Sequence, residues 1–141
     1  MPFFSMWTDG GLEQVARRVA QQLWKAAGTW QRNDCTLLPA VEHQGRIIGC
    51  QNLGAKDFAD VREGLVTARF GRRFHGHGPG PTSRAAVLDL VFDGLGAEDV
   101  MTVICQDNSP ALRVTRRLGF KPDGVQVNVV RGGRAVSDRL R

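Results

Sequence analysis

The sequence contains no tyrosine and only three cysteines among its 141 residues. Three cysteines are too few for the disulfide frameworks that stabilise small secreted proteins. Cys35, Cys50 and Cys105 are also far apart in the chain, so we expect reduced and mostly buried thiols. The absence of tyrosine removes one common proton donor from any candidate active site.

Long apolar runs and targeting signals are absent as well. No apolar run approaches the roughly 20 residues that a membrane-spanning helix needs. Residues 1–7 contain no basic segment and no cleavage site of the secretory type. Hydrophobic residues make up 42% of the chain and charged residues 23%, a balance typical of globular proteins. We therefore expect a single cytoplasmic domain over residues 1–141 that does not contact a membrane.

Charge is distributed in blocks along the chain. The net charge is +5, but residues 61–85 carry +4, residues 86–112 carry −5 and residues 113–141 carry +6. Two basic blocks around an acidic one favour a local anion-binding site over a broad nucleic-acid-binding face. A small basic nucleic-acid-binding domain, whose affinity would fall steeply with salt, stays as an alternative. No basic strand rich in aromatic residues supports that alternative.

The first half of the chain has the apolar pattern of one helix followed by strands. Residues 12–27 carry an apolar stripe at helical spacing, which we expect to pack on the protein's own sheet rather than on a partner. Strands over residues 36–41 and 46–53, joined by a turn at residues 43–45, form a predicted hairpin. Residues 61–70 are predicted to form a third strand.

The second half of the chain alternates helices and strands. We predict a helix over residues 81–95, with Pro81 at its first position and Gly96 at its end. The later predicted elements are a strand buried on both faces over residues 100–105, a helix from Asn108 or Ser109 to Leu118, and a hairpin of residues 125–130 and 134–140. The central strand–helix–strand unit is a parallel crossover in an otherwise antiparallel sheet. The sequence thus predicts a three-layer α/β/α domain with a mixed, mostly antiparallel sheet.

A glycine-rich segment joins the third strand to the second helix. Residues 71–80 contain four glycines, interspersed with two arginines and two histidines. Glycine lets the backbone approach a ligand, and unpaired N–H groups at a helix start point toward an anion. A connecting loop that needs positive φ angles is the alternative. The segment has neither the Gly-Lys-Ser/Thr of a Walker A loop nor the glycine spacing of a dinucleotide-binding fingerprint.

Residues 75–80, His-Gly-His-Gly-Pro-Gly, resemble motif A of the GNAT acetyltransferase superfamily, Gln/Arg-x-x-Gly-x-Gly/Ala, with His75 at the leading position. Residues 107–120 are similar to the Asn-x-x-Ser…Lys-Leu-Gly-Phe/Tyr helix of the same family. The branch named for ribosomal-protein N-acetyltransferases has segments similar to residues 1–9, 57–59, 84–88 and 94–98. Together these motifs follow the family's order over nearly the whole chain.

The resemblance implies a GNAT fold in which acetyl-CoA, as co-substrate, lies between two splayed parallel strands, here residues 61–70 and 100–105. It implies transfer of an acetyl group to a primary amine, either a protein N-terminus or a small molecule. No metal is implied, and a homodimer is one alternative for the oligomeric state. The implied cofactor-binding residues are Ala68, Phe70, Arg72, Arg73, His75, Gly76, His77, Gly78, Gly80, Thr82, Asn108, Ala111, Arg113 and Arg116. For each arginine, a solvated surface charge is the alternative.

Glu63, Asn108 and Thr115 are the catalytic candidates. The attacking amine must first lose a proton, which Glu63 can accept, although a structural role for this strand glutamate is the alternative. The departing thiolate needs a proton, which a tyrosine supplies in many family members at the position of Thr115. The related branch has serine at the position of Ala111, so here Thr115 or water would take this role. A catalytically impaired relative that only binds acyl-CoA is therefore an alternative function.

Other residues depart from the family pattern or argue against other chemistry. Pro79 and Pro81 remove two N–H donors from the phosphate loop. The branch usually has one more strand and helix before the segment that resembles residues 1–9, and the resemblance implies that this sequence lacks both. The histidines and cysteines lack the paired spacing of a zinc site, so no metal is expected. Cys105, in an apolar strand, is expected to pack rather than to act as a nucleophile.

Overall fold

The computed structural model of the protein describes residues 10–75, 79–130 and 133–141. Within these ranges the strands are β1 (Cys35–Leu37), β2 (Ala40–His43), β3 (Arg46–Ala55), β4 (Glu63–Phe70), β5 (Asp99–Cys105), β6 (Pro122–Val130) and β7 (Gly133–Leu140). The α-helices are α1 (Leu12–Gly28), α2 (Phe58–Val61), α3 (Pro79–Asp89) and α4 (Ser109–Arg117). The strands form one sheet in the order β1-β3-β4-β5-β7-β6, and β2 also pairs with β3.

The sheet is mixed. The pairs β1–β3, β2–β3, β3–β4 and β6–β7 are antiparallel, whereas β4 and β5 are parallel and are joined by the α3 crossover. The predicted α/β fold with a mostly antiparallel sheet and one central parallel pair is confirmed.

The chain divides into two compact units. Thr29–Thr102 form one, here called the continuous unit, and Met1–Gly28 with Val103–Arg141 form the other, here called the split unit. Strand β5 contributes its first four residues to the continuous unit and its last three to the split unit. The single domain over residues 1–141 stays a prediction.

The hairpin predicted in the continuous unit is confirmed, but its first strand is broken. Gln44 and Gly45 have φ values of 52° and 73°, the pair of positive angles that a two-residue type I′ turn requires. The strand predicted over residues 36–41 is wrong, because β1 and β2 flank a gap at residues 38–39. Pro39 has no N–H to donate to the ladder, although its carbonyl accepts a 3.0 Å bond from the Gln51 N–H.

Helix α3 differs from the predicted helix at both ends. It begins at Pro79 rather than Pro81, and both prolines fit because first-turn N–H groups need no partner within the helix. The α-helical part ends at Asp89 and continues as a π-helical segment, Leu90–Gly94. Gly96, with φ 73°, follows that segment and donates its N–H to the Phe92 carbonyl at 3.1 Å.

In the split unit, α1 forms as predicted, but most of its apolar stripe is exposed. No residue of this helix is buried, and Leu12 and Trp24 are 87% and 73% exposed. The expectation that the stripe packs on the sheet is therefore wrong for the part of the chain that the structure describes. None of the described helices is both long enough and apolar enough to cross a membrane.

Each unit has its own buried residues. Leu53, Val66 and Val91 are fully buried in the continuous unit, and Leu112 and Leu140 are buried in the split unit. Strand β5 is less uniform than predicted. Its Val100, Thr102, Ile104 and Cys105 are buried and its Met101 and Val103 are half-buried, so burial on both faces is reached only near its end.

Candidate functional site

Strand β4 is paired along one side and only at its beginning on the other. Its antiparallel register with β3 runs from Gly64, opposite Ala55, to Phe70, opposite Gly49. Its parallel ladder with β5 ends at Leu65, opposite Met101. From residue 66 to residue 70, one backbone edge of β4 thus lies outside the described ladder. Such an edge can pair with an extended ligand through main-chain hydrogen bonds.

Helix α3 begins against the end of β4. A Cβ atom added to Gly80 would lie 3.8 Å from the Phe70 ring. At the other end, a Cβ atom on Gly64 would lie 3.2 Å from Cγ1 of Val91, in the π-helical segment that continues α3. The helix and its π-helical continuation therefore run along β4 from Phe70, its last residue, back to Gly64, near its beginning. This packing fixes the position of the helix N-terminus at the end of β4.

The glycine-rich segment is attached to the end of β4 by its own hydrogen bonds. The N–H of Gly71 donates to the Ile48 carbonyl at 3.0 Å, and the N–H of Phe74 donates to the Gly71 carbonyl at 2.9 Å. Nε2 of His75 lies 3.1 Å from the Phe70 carbonyl oxygen, so in this contact the ring nitrogen is the donor. The start of the segment is therefore held at the end of the strand.

The predicted loop residues are only partly described. Arg72 belongs to a 3-10 turn, and the exposed guanidinium of Arg73 lies 4.8 Å from the ring centroid of Phe74. Gly76, His77 and Gly78 lie outside the described residues, so their predicted roles are not placed. His75 is exposed, and its ring is engaged with the β4 backbone, so its role beside a phosphate stays a prediction.

The first turn of α3 is tied to strand β3 by a buried glutamine. Gln51 is 1% exposed, and its Nε2 donates to Oγ of Ser83 at 2.9 Å. Ser83 in turn donates to the Gly80 carbonyl at 3.1 Å. The Gln51 Oε1 atom is buried with no partner among the described atoms. This chain of bonds positions the turn in which Gly80 and Thr82 were predicted to bind the cofactor.

Arg84 is a half-buried cation one turn into α3. Its Nη1 atom is enclosed and has no hydrogen-bond partner in the described part of the protein. Burial lowers the pKa of the Arg84 guanidinium to about 10, which still leaves it charged at neutral pH. Because desolvation of a charged group is costly, a contribution to stability alone does not explain an arginine at this position.

Sequence reasoning missed Gln51, Ser83 and Arg84. For Arg84 a signal existed, since Val87 and Val91 follow at i+3 and i+7 and place the arginine on the apolar face of the helix. For Gln51 there was none, because its partner lies 32 residues away in another element.

Glu63, the predicted base, lies where β4 and β5 are still paired, opposite Asp99. It lines a cavity of about 310 Å³ in the continuous unit, together with Asp34, Cys35 and Lys56. Burial, followed by the neighbouring Asp34 carboxylate, raises the pKa of the Cys35 thiol. The cavity therefore combines carboxylates, an ammonium and a protonated thiol at the beginning of β4.

Helix α4, in the split unit, carries the other catalytic candidates. Its start is confirmed at Asn108, whose Oδ1 accepts a 3.4 Å bond from the Ala111 N–H. Asn108 therefore serves as the N-cap, the role for which asparagine is suited. Thr115 is 4% exposed, and Gly119, with φ 96°, follows the end of the helix. Leu112 is buried as well.

The arginines of α4 are surface residues. Arg113, Arg116 and Arg117 are exposed. Arg116 lies 3.8 Å from the Asp138 carboxylate, which also accepts a 2.7 Å bond from Gln106. An ion pair at this distance between an exposed arginine and a half-buried carboxylate contributes little to stability. The role of Arg116 beside a phosphate stays a prediction.

All three cysteines are free, but the expectation of mostly buried thiols is wrong, since Cys35 and Cys50 are half-buried. Cys105 is buried, and burial is the main cause of its raised thiol pKa. A protonated thiol is a poor nucleophile, which agrees with the predicted packing role. Over the described ranges, no group of three His, Cys, Asp or Glu side chains could hold a metal ion.

A sequence profile for the acetyltransferase (GNAT) domain matches residues 3–121. The chain belongs to the GNAT acetyltransferase family. The central parallel pair β4–β5, with its short ladder, is the feature expected from the family resemblance.

Solved structures share the GNAT fold with this chain at low sequence identity. The Mycobacterium smegmatis RimJ in complex with CoA-disulfide has a TM-score of 0.77 and 17% identity, over 90% of this chain and 60% of RimJ. A spermidine N-acetyltransferase SpeG chimera, from Vibrio cholerae and hSSAT, has a TM-score of 0.72 and 18% identity, over 92% of this chain and 82% of the chimera. At such identities the likeness establishes the fold alone.

Proposed function

We propose that this GNAT protein transfers an acetyl group from acetyl-CoA to a primary amine, either a protein N-terminus or a small-molecule amine. The observation that carries the proposal is the end of β4. Its backbone edge is outside the ladder from residue 66 onward and leads through the glycine-rich segment directly into α3. An extended pantetheine arm suits such an edge, and a pyrophosphate suits the helix start.

The described residues fit this coenzyme. Ala68 and the N–H of Phe70 offer backbone groups along the edge, and Gly80 adds no side chain to the first turn of α3. The Nη1 atom of Arg84 is a donor that no described residue satisfies. Arg72 and Arg73, in the turn before the helix, are proposed to contribute positive charge toward the phosphates.

The reaction has three proton transfers that the chain must manage. An ammonium group loses a proton, its nitrogen lone pair attacks the thioester carbonyl carbon, and the nitrogen of the tetrahedral adduct loses a second proton. The C–S bond then breaks to leave an amide and a thiolate, and the thiolate takes up a proton. Deprotonation is harder for a lysine side chain, with a pKa of about 10.4, than for a chain N-terminus, at about 7.8. We assign Glu63 as the base and the Thr115 hydroxyl as a donor to the thiolate, with a backbone N–H for the oxyanion.

The impaired acyl-CoA-binding relative is the second candidate, and α4 supplies the observation that favours it. Ala111 has no hydroxyl, and the Asn108 side chain is already bonded to the Ala111 N–H. Thr115 then carries the hydroxyl that remains as a proton donor in the interior of α4, and this residue is almost fully buried. A chain with a coenzyme site and no working donor would bind acetyl-CoA without turning it over.

Steady-state release of CoA thiol separates the two candidates. Acetyl-CoA is incubated with a panel of amines: peptides with free N-termini, lysine, spermidine and a water-only blank. The proposed function predicts thiol release that depends on an amine and saturates with it. Binding of acetyl-CoA with no release above the blank for any amine would contradict the transferase and support the binding protein.

A further inference from the structure

Arg84 sits on the covered face of α3, where an apolar residue would be expected. Val87 and Val91, three and seven residues later, lie on the same face and are 6% and 0% exposed. Gly80, one turn earlier, lies on this face against the Phe70 ring. Arg84 therefore lies between Gly80, in the first turn, and the two buried valines on the same face of the helix.

No described group neutralises this guanidinium. Its Nη1 atom is enclosed and has no partner, and no neighbouring carboxylate contributes to its charge state. Enclosing part of a cation without a counter-ion is destabilising, whereas an apolar side chain of similar length would pack there without that cost. Such an arrangement fits a residue whose charge and hydrogen-bond donor are satisfied by a bound ligand.

The first turn of α3 needs an extra donor if it is to bind an anion. Two of its first three residues, Pro79 and Pro81, have no N–H. Because side chains on a helix lean toward its N-terminus, we expect the Arg84 side chain to lean toward the turn that contains Gly80.

We propose that Arg84 is the cationic ligand of an oxyanion at the first turn of α3, and that this oxyanion is the pyrophosphate of acetyl-CoA. The inference rests on the proposed function and adds a residue to its coenzyme site. A guanidinium provides charge-assisted donors in place of the two N–H groups that the prolines lack. Part of the Arg84 side chain remains exposed, so an anion from solvent can reach it.

The test is Arg84→Met, with Arg46→Met as the matched control. Arg46 is an exposed arginine at the β2–β3 turn of the same unit. Arg84→Met should weaken CoA binding by about 10- to 100-fold, the effect of losing a charged hydrogen bond. The melting temperature of its ligand-free form should equal or exceed that of the wild type. Arg46→Met should change neither the affinity nor the melting temperature.

A comparison of two forms of the coenzyme shows which of its phosphate groups Arg84 binds. Dephospho-CoA lacks the 3′-phosphate but keeps the pyrophosphate, so Arg84→Met should weaken CoA and dephospho-CoA by the same factor. A loss confined to CoA would overturn the pyrophosphate assignment in favour of the 3′-phosphate. Arg84→Lys, which keeps the charge without the guanidinium fork, should lose less affinity and covers the case of a poorly folded methionine variant. Wild-type affinity in both variants would overturn the proposal, whereas no CoA binding by the wild type would contradict the proposed function itself.

Discussion

Replacement of Gly49 by alanine is expected to displace the end of β4. Gly49 is in register with Phe70, the last residue of that strand. A Cβ atom at Gly49 would overlap the Arg69 carbonyl oxygen and the Phe70 ring, and would lie 3.0 Å from the Phe70 Cα. Because the Arg69 carbonyl and Phe70 Cα belong to the backbone, rotation of a side chain cannot relieve the clash.

The cost follows from the size of this clash. Adding a methyl group where the surroundings cannot retreat destabilises a protein by about 1–3 kcal/mol. The unfolding entropy of a chain of this length is roughly 0.3 kcal/mol per kelvin, from about 2.1 cal/mol/K per residue. Gly49→Ala should therefore lower the melting temperature by about 3–10 °C. It should also weaken CoA binding, because the backbone edge proposed to pair with the pantetheine arm ends at Phe70.

Gly54→Ala provides the matched control on the same strand. A Cβ atom there meets nothing within 4 Å, so alanine should leave stability unchanged or raise it by about 0.5 kcal/mol. Thermal unfolding followed by circular dichroism and titration with CoA report the two effects. Equal melting temperatures and equal CoA affinities for the two variants would refute both the tight contact at Gly49 and the role of the β4 end.

Three further predictions concern Ser83, Cys105 and the pair Thr115 and Ala111. Ser83→Ala should lower the free energy of unfolding in urea by about 1–3 kcal/mol, because the buried Nε2 of Gln51 loses its acceptor; a change below about 0.5 kcal/mol would contradict that bond. Burial raises the pKa of the Cys105 thiol, whereas an unfolded thiol ionises near pH ~8.5, so stability should decline as pH rises above that value. Alkylation of Cys105 in the folded protein at the rate of a free thiol would argue against this. Because Thr115 is the proposed donor, Thr115→Val should remove most of the turnover and Ala111→Ser should leave it unchanged, both at unchanged CoA affinity; a gain of at least about tenfold in Ala111→Ser would instead support the impaired relative.

Features with a local chemical cause could be predicted from the sequence. Asn108 caps α4 because its side chain reaches an N–H three residues later, and Gly119 ends that helix with a positive φ. The β2–β3 turn likewise has a local cause, because Gln44 and Gly45 both adopt the positive φ angles that the turn requires. The alternation of strands and helices around the glycine-rich segment was enough to predict the parallel pair within the antiparallel sheet.

Features set by tertiary contacts could not be predicted. The strand predicted over residues 36–41 is interrupted at Pro39, and whether a strand continues past a proline depends on its neighbour in the sheet. The apolar spacing of α1 predicts a helix and says nothing about what covers its stripe. The bond between Gln51 and Ser83 joins residues of two elements, and neither residue type marks a partner at that distance.

The most direct test of the acetyl-CoA site is the effect of the coenzyme on thermal stability. A ligand at 100 times its Kd adds about 2.7 kcal/mol to the free energy of unfolding. For a chain of this length that corresponds to a rise of about 9 °C in melting temperature. The account predicts such a rise with acetyl-CoA or CoA. An unchanged melting temperature at millimolar CoA, in protein shown by circular dichroism to be folded, would contradict it.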